Sequence, residues 1–274
     1  MLPSQLFATS DHYTGPGYES ALQKQLASHA SGIFTQKPHD IKVDLLDATT
    51  SDASLPCLNK EGVTNISEGW ASLARCRCHE FVDTSSMARY LYDDRSKNYS
   101  TRVISIWQQH SWTPLNVSQD MLMLIMTYHK VAIEFLHVIY FFSRKFLEVE
   151  EAYSGAMWKA YRNNILEIAY LFKYPEQNQY PEEDGDPWSI RQTGVYHQLD
   201  TKAMKNIWII IHPKKDAAAR MQLDNCLKSP SESIEISRHP FLVHILLIST
   251  YVDNWRWYMA YYEEKLLILV RLMQ

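Results

Sequence analysis

The sequence predicts an α/β fold, with α+β as the alternative, in which helices flank a mixed β-sheet and a long helix follows it. Runs rich in β-branched and aromatic residues, typical of strands, occur at 102–107, 189–197 and 207–213. Between them lie segments whose apolar residues recur every three or four positions, which is the helical period. Of the 274 residues, 46% are hydrophobic, which is enough for a sizeable core.

The predicted elements follow one another from residue 101 onward. In order, they are a strand (102–107), a turn with Pro114, helices over 119–130, 132–145 and 154–174, an acidic loop (175–187), a strand (189–197), its partner (207–213), a helix (214–227) and a final helix from Pro240. Asn116 or Ser118 can cap the first helix, because either side-chain oxygen can accept a hydrogen bond from a free N–H group. The final helix should project from the domain, since its roughly thirty residues would extend about 50 Å.

We expect three regions along the chain. Residues 1–100 are weakly patterned and partly loop, with a short helix and a strand within 61–82. Residues 101–238 form the α/β domain, and residues 239–274 begin a stalk-like helix. The sequence stops inside the apolar stretch KLLILVRLMQ, which predicts a truncated helix.

Composition excludes several classes of protein. The formal net charge of −4 argues against a nucleic-acid-binding face, which needs clustered positive charge. Four cysteines in a chain of this length indicate a reducing compartment rather than a disulfide framework. The longest apolar run, 131–142, contains Glu134 and His137. A membrane-spanning helix needs about 20 largely apolar residues, so we expect no transmembrane segment in this chain.

Two segments contain metal-ligating residue types. CRCHE (76–80) has Cys and His, but structural zinc sites space their paired cysteines by two to four residues and use four ligands. We favour a strand or helix with two incidental thiols there. The acidic loop lacks the fixed spacing of a calcium site, and we interpret it as solvated surface. His137 is interpreted as a core residue with one hydrogen bond.

No catalytic motif is present, and we predict that the chain is not an enzyme. It has no phosphate-binding loop, nucleophile elbow or H-E-x-x-H sequence. Cys78 and His79 are adjacent, and neighbouring residues of a strand point to opposite faces, so they cannot form a nucleophile and base pair there.

Arg191 and Gln192 lie in the middle of a predicted strand, between Trp188 and Tyr196. A buried guanidinium needs a carboxylate or carbonyl partner, so we expect Arg191 to contact the acidic loop or Asp200. A ligand-binding role for Arg191 is the alternative.

The last helix has an aromatic and aliphatic stripe that could bind a partner. Its residues are Tyr251, Trp255, Tyr258, Tyr262, Leu266 and Leu269. We expect the first half of the helix to pack on its own domain, and its last three turns to need a partner.

Five segments form a set: SIWQQHSWTPLNVSQDML (105–122), ILEIAYLFKY (165–174), DPWSIRQTGVYH (186–197), WIIIHP (208–213) and HPFLVHILLISTYVDNWRWYM (239–259). Together they resemble the fungal branch of the CorA-like magnesium transporters, from about residue 100 to the end. The segment DPWSIRQTGVYH is the most specific of the five. The residues that carry the resemblance are Trp112, Asn116, Pro187, Trp188, Arg191, Gln192, Tyr196, His197, Trp208, Pro240, His244 and Trp255.

The resemblance implies a cytosolic, regulatory α/β domain with a stalk helix leading to two membrane helices, in a homo-pentamer that conducts Mg²⁺. The family's pore tripeptide Gly-Met-Asn does not occur in this sequence, so no transport residue can be assigned. The chain would lie on the cytosolic face of a membrane if attached to a membrane segment, and otherwise in the cytoplasm. A stand-alone protein-interaction module is the alternative function, and a metal-dependent enzyme is a third.

Overall fold

A computed structural model describes residues 17–50, 74–110, 113–143, 157–178 and 185–273. Its centre is a sheet of seven strands in the order β2-β1-β3-β7-β6-β5-β4. The strands are β1 (Val43–Thr50), β2 (Ala74–Phe81), β3 (Thr101–Trp107), β4 (Trp158–Arg162), β5 (Ile165–Gln177), β6 (Trp188–Asp200) and β7 (Lys205–His212). Strands β3 and β7 pair in parallel and the other neighbours pair antiparallel, so the sheet is mixed.

Seven α-helices are described around this sheet. They are α1 (Tyr18–Ile33), α2 (Thr84–Tyr92), α3 (Gln119–His129), α4 (Phe135–Tyr140), α5 (Ala218–Lys228), α6 (Pro230–Arg238) and α7 (Leu242–Leu272). Helices α1 to α4 share one apolar core with one face of the sheet. Helices α5 to α7 share a second core with the opposite face. The α/β fold class with a long C-terminal helix is therefore confirmed.

Alternation along the central strands supplies both cores. In β7, Ile209 and Ile211 belong to the first core, whereas Trp208 and Ile210 belong to the second. Successive side chains of a strand point to opposite faces. A strand covered by helices on both faces therefore needs an uninterrupted apolar run, which is the pattern of WIIIHP.

The sheet also contains a buried ion pair between β1 and β3. Nε and Nη2 of Arg102 each lie 2.7 Å from a carboxylate oxygen of Asp47, and both side chains are fully buried. Tyr90 of α2 donates a hydrogen bond of 2.6 Å to Asp47, and Arg102 donates one of 2.6 Å to the carbonyl of Ser96. The guanidinium also lies 4.1 Å from the centre of the Tyr99 ring. Asp47 and Arg102 are thus stabilised as a bidentate, hydrogen-bonded pair.

The strand predictions for 102–107, 189–197 and 207–213 are confirmed, but the helix predicted over 154–174 is wrong. Residues 158–162 and 165–177 form the β4–β5 hairpin, joined at Asn163 and Asn164 with φ of 51° and 66°. Two successive positive φ angles are the geometry of a type I′ hairpin turn, which Asn tolerates. The helix is predicted because Met157, Tyr161, Ile165, Ile168 and Leu171 recur at steps of three and four residues. In the hairpin this spacing is a coincidence.

Two further predictions need correction. The helix predicted over 132–145 is described only as Phe135–Tyr140, preceded by a turn. His137 is exposed rather than part of the core, and its ring bonds the hydroxyl of Tyr18 at 2.8 Å. Of the two candidate caps, Ser118 accepts the hydrogen bond from the N–H of Met121.

The sheet includes strands from both sides of residue 100, namely β1 and β2 before it and β3 after it. The division of the chain at residues 100 and 238 stays a prediction. The strand predicted within 61–82 is β2, whereas most of the short helix predicted before it lies outside the described residues.

Replacing Arg102 by Ala should lower the free energy of unfolding by about 3–5 kcal/mol, because the carboxylate of Asp47 would stay buried without its cation. Urea denaturation followed by far-UV circular dichroism would measure the change. Arg95→Ala is the control, since Arg95 pairs with Asp93 on the surface and its loss should leave the urea midpoint unchanged. Equal midpoints for the two variants would contradict the prediction.

Candidate functional site

The start of α7 is attached to the sheet by a row of four polar side chains. Nδ1 of His244 lies 2.9 Å from the hydroxyl of Tyr170 on β5, and its Nε2 lies 3.0 Å from Nδ1 of His197 on β6. Nε2 of His197 lies 3.2 Å from the side-chain oxygen of Asn206 on β7. We call these residues the polar row. It joins the long helix to three neighbouring strands.

The direction of every hydrogen bond in the polar row follows from its last member. With the Asn206 amide oriented so that its oxygen faces His197, that oxygen can only accept, so Nε2 of His197 carries the proton and its Nδ1 accepts. Nε2 of His244 must then donate, which makes Nδ1 of His244 the acceptor of the Tyr170 hydroxyl. Both imidazoles are neutral in this arrangement. A second proton on either ring would break one of the bonds.

Aromatic rings enclose the two histidines. The ring of His197 stacks on Trp208 with centroids 3.7 Å apart and planes 8° apart. His244 meets Trp208 at 4.6 Å, and Phe241 meets His197 edge-on at 6.0 Å. His197 and Asn206 are fully buried among these side chains, which makes their hydrogen bonds costly to leave unmade.

Burial sets the protonation of the row. Desolvation, with a smaller contribution from His244, lowers the pKa of His197 to about 3. Desolvation alone lowers the pKa of His244 to about 4. Burial raises the pKa of Tyr170 above its ordinary value. The row is therefore uncharged at neutral pH, and it is suited to holding α7 in place rather than to acid–base chemistry.

A second group of contacts holds α7 further along its length. The side chain of Asn254 donates a hydrogen bond of 2.9 Å to the carbonyl of Pro175, and the Tyr262 hydroxyl donates to the carboxylate of Asp186. Trp188 meets Tyr258 edge-on, with centroids 5.9 Å apart. Beyond Tyr262, every described residue of the helix is exposed.

Arg191 lies near this second group, close to the start of β6. Its Nε lies 3.3 Å from a carboxylate oxygen of Glu176, whose other oxygen lies 3.1 Å from Nζ of Lys214. Glu176 belongs to the predicted acidic loop but is the penultimate residue of β5, so the contact crosses between paired strands. Asp200, the other candidate, instead accepts from two backbone N–H groups of its own turn.

Every second residue of β6 after Arg191, beginning with Gln192, points to the face of the sheet opposite to Arg191. Gln192 donates a hydrogen bond of 2.6 Å to the carbonyl of Phe141, and the Tyr196 hydroxyl donates one of 2.5 Å to Glu167. A Cβ added to Gly194 would lie 2.8 Å from Phe142 and Val138, so only glycine allows this approach. The motif DPWSIRQTGVYH thus serves both layers of helices.

The remaining predicted residues have separate positions. Asn116 bonds through its backbone, with its N–H 2.9 Å from the carbonyl of Trp107. The carbonyl of Pro187 accepts from the N–H of Asn178 at 2.7 Å, and Pro240 is buried just before α7. Trp255 meets Tyr258 edge-on at 5.7 Å. Trp112 lies outside the described residues.

Sequence reasoning selected His197, Trp208 and His244, which the fold brings together, but it missed Tyr170, Asn206 and Phe241. The available signal was the register of the strands. His197 and Trp208 are directly paired across β6 and β7, and Asn206 lies two residues from Trp208 on the same face. Tyr170 was missed because its segment was predicted to be a helix.

Among the described parts of the chain, no group of three or more His, Cys, Asp or Glu side chains is placed to hold a metal ion. A pocket of about 670 Å³ lies beside α1 and the β4–β5 hairpin, with Trp158, Met126, Glu134 and Glu167 in its lining. None of the predicted residues lines it. The described helices also include none with both the length and the apolar character needed to cross a membrane.

Comparison with protein families gives a match to CorA-like transporters over residues 3–164 and 162–273. These ranges cover nearly the whole sequence, so the chain belongs to the CorA-like transporter family. The match begins at residue 3, and the resemblance therefore extends through the first hundred residues, where the sequence segments had not shown it. The comparison with curated proteins found no match.

The polar row should make the stability of the fold depend on pH. Because folding lowers the pKa of His197 and of His244, the unfolded chain binds more protons below about pH 6.5, and stability is lost as pH falls from there toward about 4. Each histidine should contribute a slope of at most about 1.4 kcal/mol per pH unit. Urea denaturation at a series of pH values would measure the total slope.

His244→Gln separates one contribution, since the amide can accept from Tyr170 and donate to His197 without titrating. Between pH 6 and 5, the free energy of unfolding of this variant should depend less steeply on pH than that of the wild type, by up to about 1.4 kcal/mol per pH unit. His39→Gln, at an exposed position, is the control and should retain the wild-type slope. If His244→Gln has the same pH dependence of stability as the wild type, the polar row does not make the stability of the fold depend on pH.

Proposed function

We propose that this chain is the extramembrane, regulatory part of a CorA-like Mg²⁺ transporter and that it acts as a homo-oligomer assembled through α7. Membership of the family supports the transporter assignment, and CorA-like transporters are not enzymes. The observation that carries the proposal is an unpartnered apolar surface along α7, described next. Its test is the oligomeric state of the chain.

Apolar side chains follow one line along α7 at alternating steps of four and three residues. We call this line the open seam; its residues are Phe241, Ile245, Ile248, Val252, Trp255, Met259, Tyr262, Leu266, Leu269 and Met273. Steps of four and three average 3.5 residues, which is the repeat of a coiled coil. Such a repeat keeps a seam facing a partner helix over several turns.

The open seam is largely exposed. Val252 is 51% exposed, Leu266 60% and Leu269 58%, whereas Trp255 and Tyr262 are half-buried beside the domain. The predicted partner stripe coincides with this seam only at Trp255, Tyr262, Leu266 and Leu269. Tyr251 is 3% exposed and stacks on Tyr174, and Tyr258 meets Trp188, so these two side chains face their own domain.

The exposed end of α7 favours a helical partner of the same kind. At 1.5 Å per residue its 31 residues extend about 46 Å. Large exposed apolar surfaces mark interaction sites, and a seam with a coiled-coil repeat is complementary to another copy of itself. The polar row fixes the rotation of α7 on the sheet, and with it the direction in which the seam points.

Mg²⁺ as the transported and regulating ion, the pentameric state and a position at the cytosolic face of a membrane are parts of this proposal that rest on the family resemblance. No Mg²⁺ ligand is assigned among the described residues.

We also infer a second candidate function, a stand-alone interaction module, because the same open seam would suit a helix of a different protein.

Charge placed on the open seam should dissociate the oligomer. We expect wild-type protein to sediment as an oligomer, and Leu266→Glu/Leu269→Glu to sediment as a monomer, because burying carboxylates in an apolar interface is strongly unfavourable. Ile268→Glu is the matched control. Ile268 is 49% exposed and lies about 200° around the helix from Leu266 and about 100° from Leu269, away from the open seam, so this variant should stay assembled.

Analytical ultracentrifugation at several protein concentrations would measure the oligomeric state of the wild type and of the two variants. A monomeric wild-type protein would refute assembly through α7 and leave the interaction module as the remaining candidate. Equal dissociation of the Ile268→Glu control would show that added charge, rather than the seam, controls assembly.

Regulation by Mg²⁺ should appear as a shift of the assembly equilibrium. We expect the oligomer to sediment differently in MgCl₂ and in NaCl of the same ionic strength, because an ion that binds one assembled state stabilises it. Identical profiles in the two salts would refute the regulatory part of the proposal, while the self-association measured above would stand.

A further inference from the structure

Two thiols lie side by side on the edge strand β2. Sγ of Cys76 and Sγ of Cys78 are 3.8 Å apart. Residues two apart on a strand project from the same face, and β2 has a paired neighbour only on the β1 side. Cys76 lies against the second core, next to the residues of α5, whereas Cys78 is exposed. The pair is therefore accessible from solvent.

The sulfur separation fits one metal ion. With a metal–sulfur bond of about 2.3 Å, two sulfurs on one ion lie about 3.8 Å apart at the tetrahedral angle and about 4.6 Å apart in a linear arrangement. The observed 3.8 Å lies at the near end of this range. Small side-chain rotations would give the larger sulfur–sulfur separations of this range, so both thiolates can bind one ion without a movement of the strand.

The surroundings also explain what an ion would change. Burial and the neighbouring Cys78 raise the pKa of Cys76 to about 12, so the Cys76 thiol remains protonated at neutral pH. Two adjacent thiolates repel one another, and a bound cation removes that repulsion. Soft ions bind sulfur strongly enough to displace protons from thiols.

We propose that Cys76 and Cys78 form a binding site for a monovalent soft metal ion, of which Cu(I) is the biological representative. Zinc sites use three or four protein ligands, and the described residues contain no group of three that could hold an ion. Cu(I) is selected by thiolate sulfur and is satisfied by two such ligands. Binding releases the two thiol protons to water, and the two thiolates and one Cu(I) form a complex with a net charge of −1.

This site is independent of the proposed transport function, since it lies on the edge strand β2 and shares no residue with the polar row or the open seam. It also differs from a Mg²⁺ site in chemistry, because Mg²⁺ prefers oxygen ligands. Loss of one function would leave the other intact.

The test is a competition for Cu(I) between the reduced full chain and the coloured Cu(I) complex of bicinchoninate, without oxygen. We expect the wild-type protein to remove one equivalent of Cu(I) per chain. Cys76→Ser and Cys78→Ser should each weaken Cu(I) binding by at least about 100-fold, the upper end of the effect of losing an outer-shell partner. Cys226→Ser and Cys57→Ser are the controls and should bind as the wild type does.

Failure of the wild-type protein to compete, or equal competition by Cys76→Ser and Cys78→Ser, would refute the proposal. Tight binding of Zn(II) at the same two residues would also refute it, in favour of a divalent site. A second measurement on the unmodified chain avoids dependence on the variants. Phenylarsine oxide condenses with two adjacent thiols and releases one water, and peptide mapping should place the arsenical across Cys76 and Cys78.

Discussion

The attachment of α7 depends on a polar row that must be complete, because it lies between two apolar surfaces. Tyr170, His197 and Asn206 present polar atoms from three strands, and His244 connects them to the helix. Any one group removed would leave another buried without a partner, which costs more than the bond contributes. The polar row therefore allows one position and rotation of α7 on the sheet. The direction in which the open seam points depends on that rotation.

The central strands are constrained by burial on both faces, and this explains the polar residues of β6. Arg191 points toward the α7 layer and meets Glu176, while Gln192 points toward the α4 layer and caps a carbonyl of Phe141. Each polar group is placed where a partner from another element can satisfy it. Gly194 follows these two residues on β6, and Phe142 approaches the strand backbone at Gly194. One strand thus connects three layers.

Membership of the CorA-like family gives the long helix a context. Its first half is a structural part of the domain, with Val243, Leu247 and Tyr251 buried in the second core. Its second half contributes almost nothing to that core and presents apolar side chains to solvent. A helix built in this way would transmit the orientation of the sheet to a partner bound at the open seam, which is the physical basis for proposing that α7 mediates assembly.

The sequence by itself determined the fold class, the strands β3, β6 and β7, and the projecting helix, because uninterrupted apolar runs and the absence of Gly and Pro are local properties. It also identified His197, Trp208 and His244 through resemblance. Only the tertiary structure decided that 158–177 is a hairpin, since apolar spacing in that segment fits either period and pairing with β6 settles it. The same pairing placed Tyr170 beside His244. Contacts between residues 74 positions apart are properties of strand register and helix docking, which no local pattern encodes.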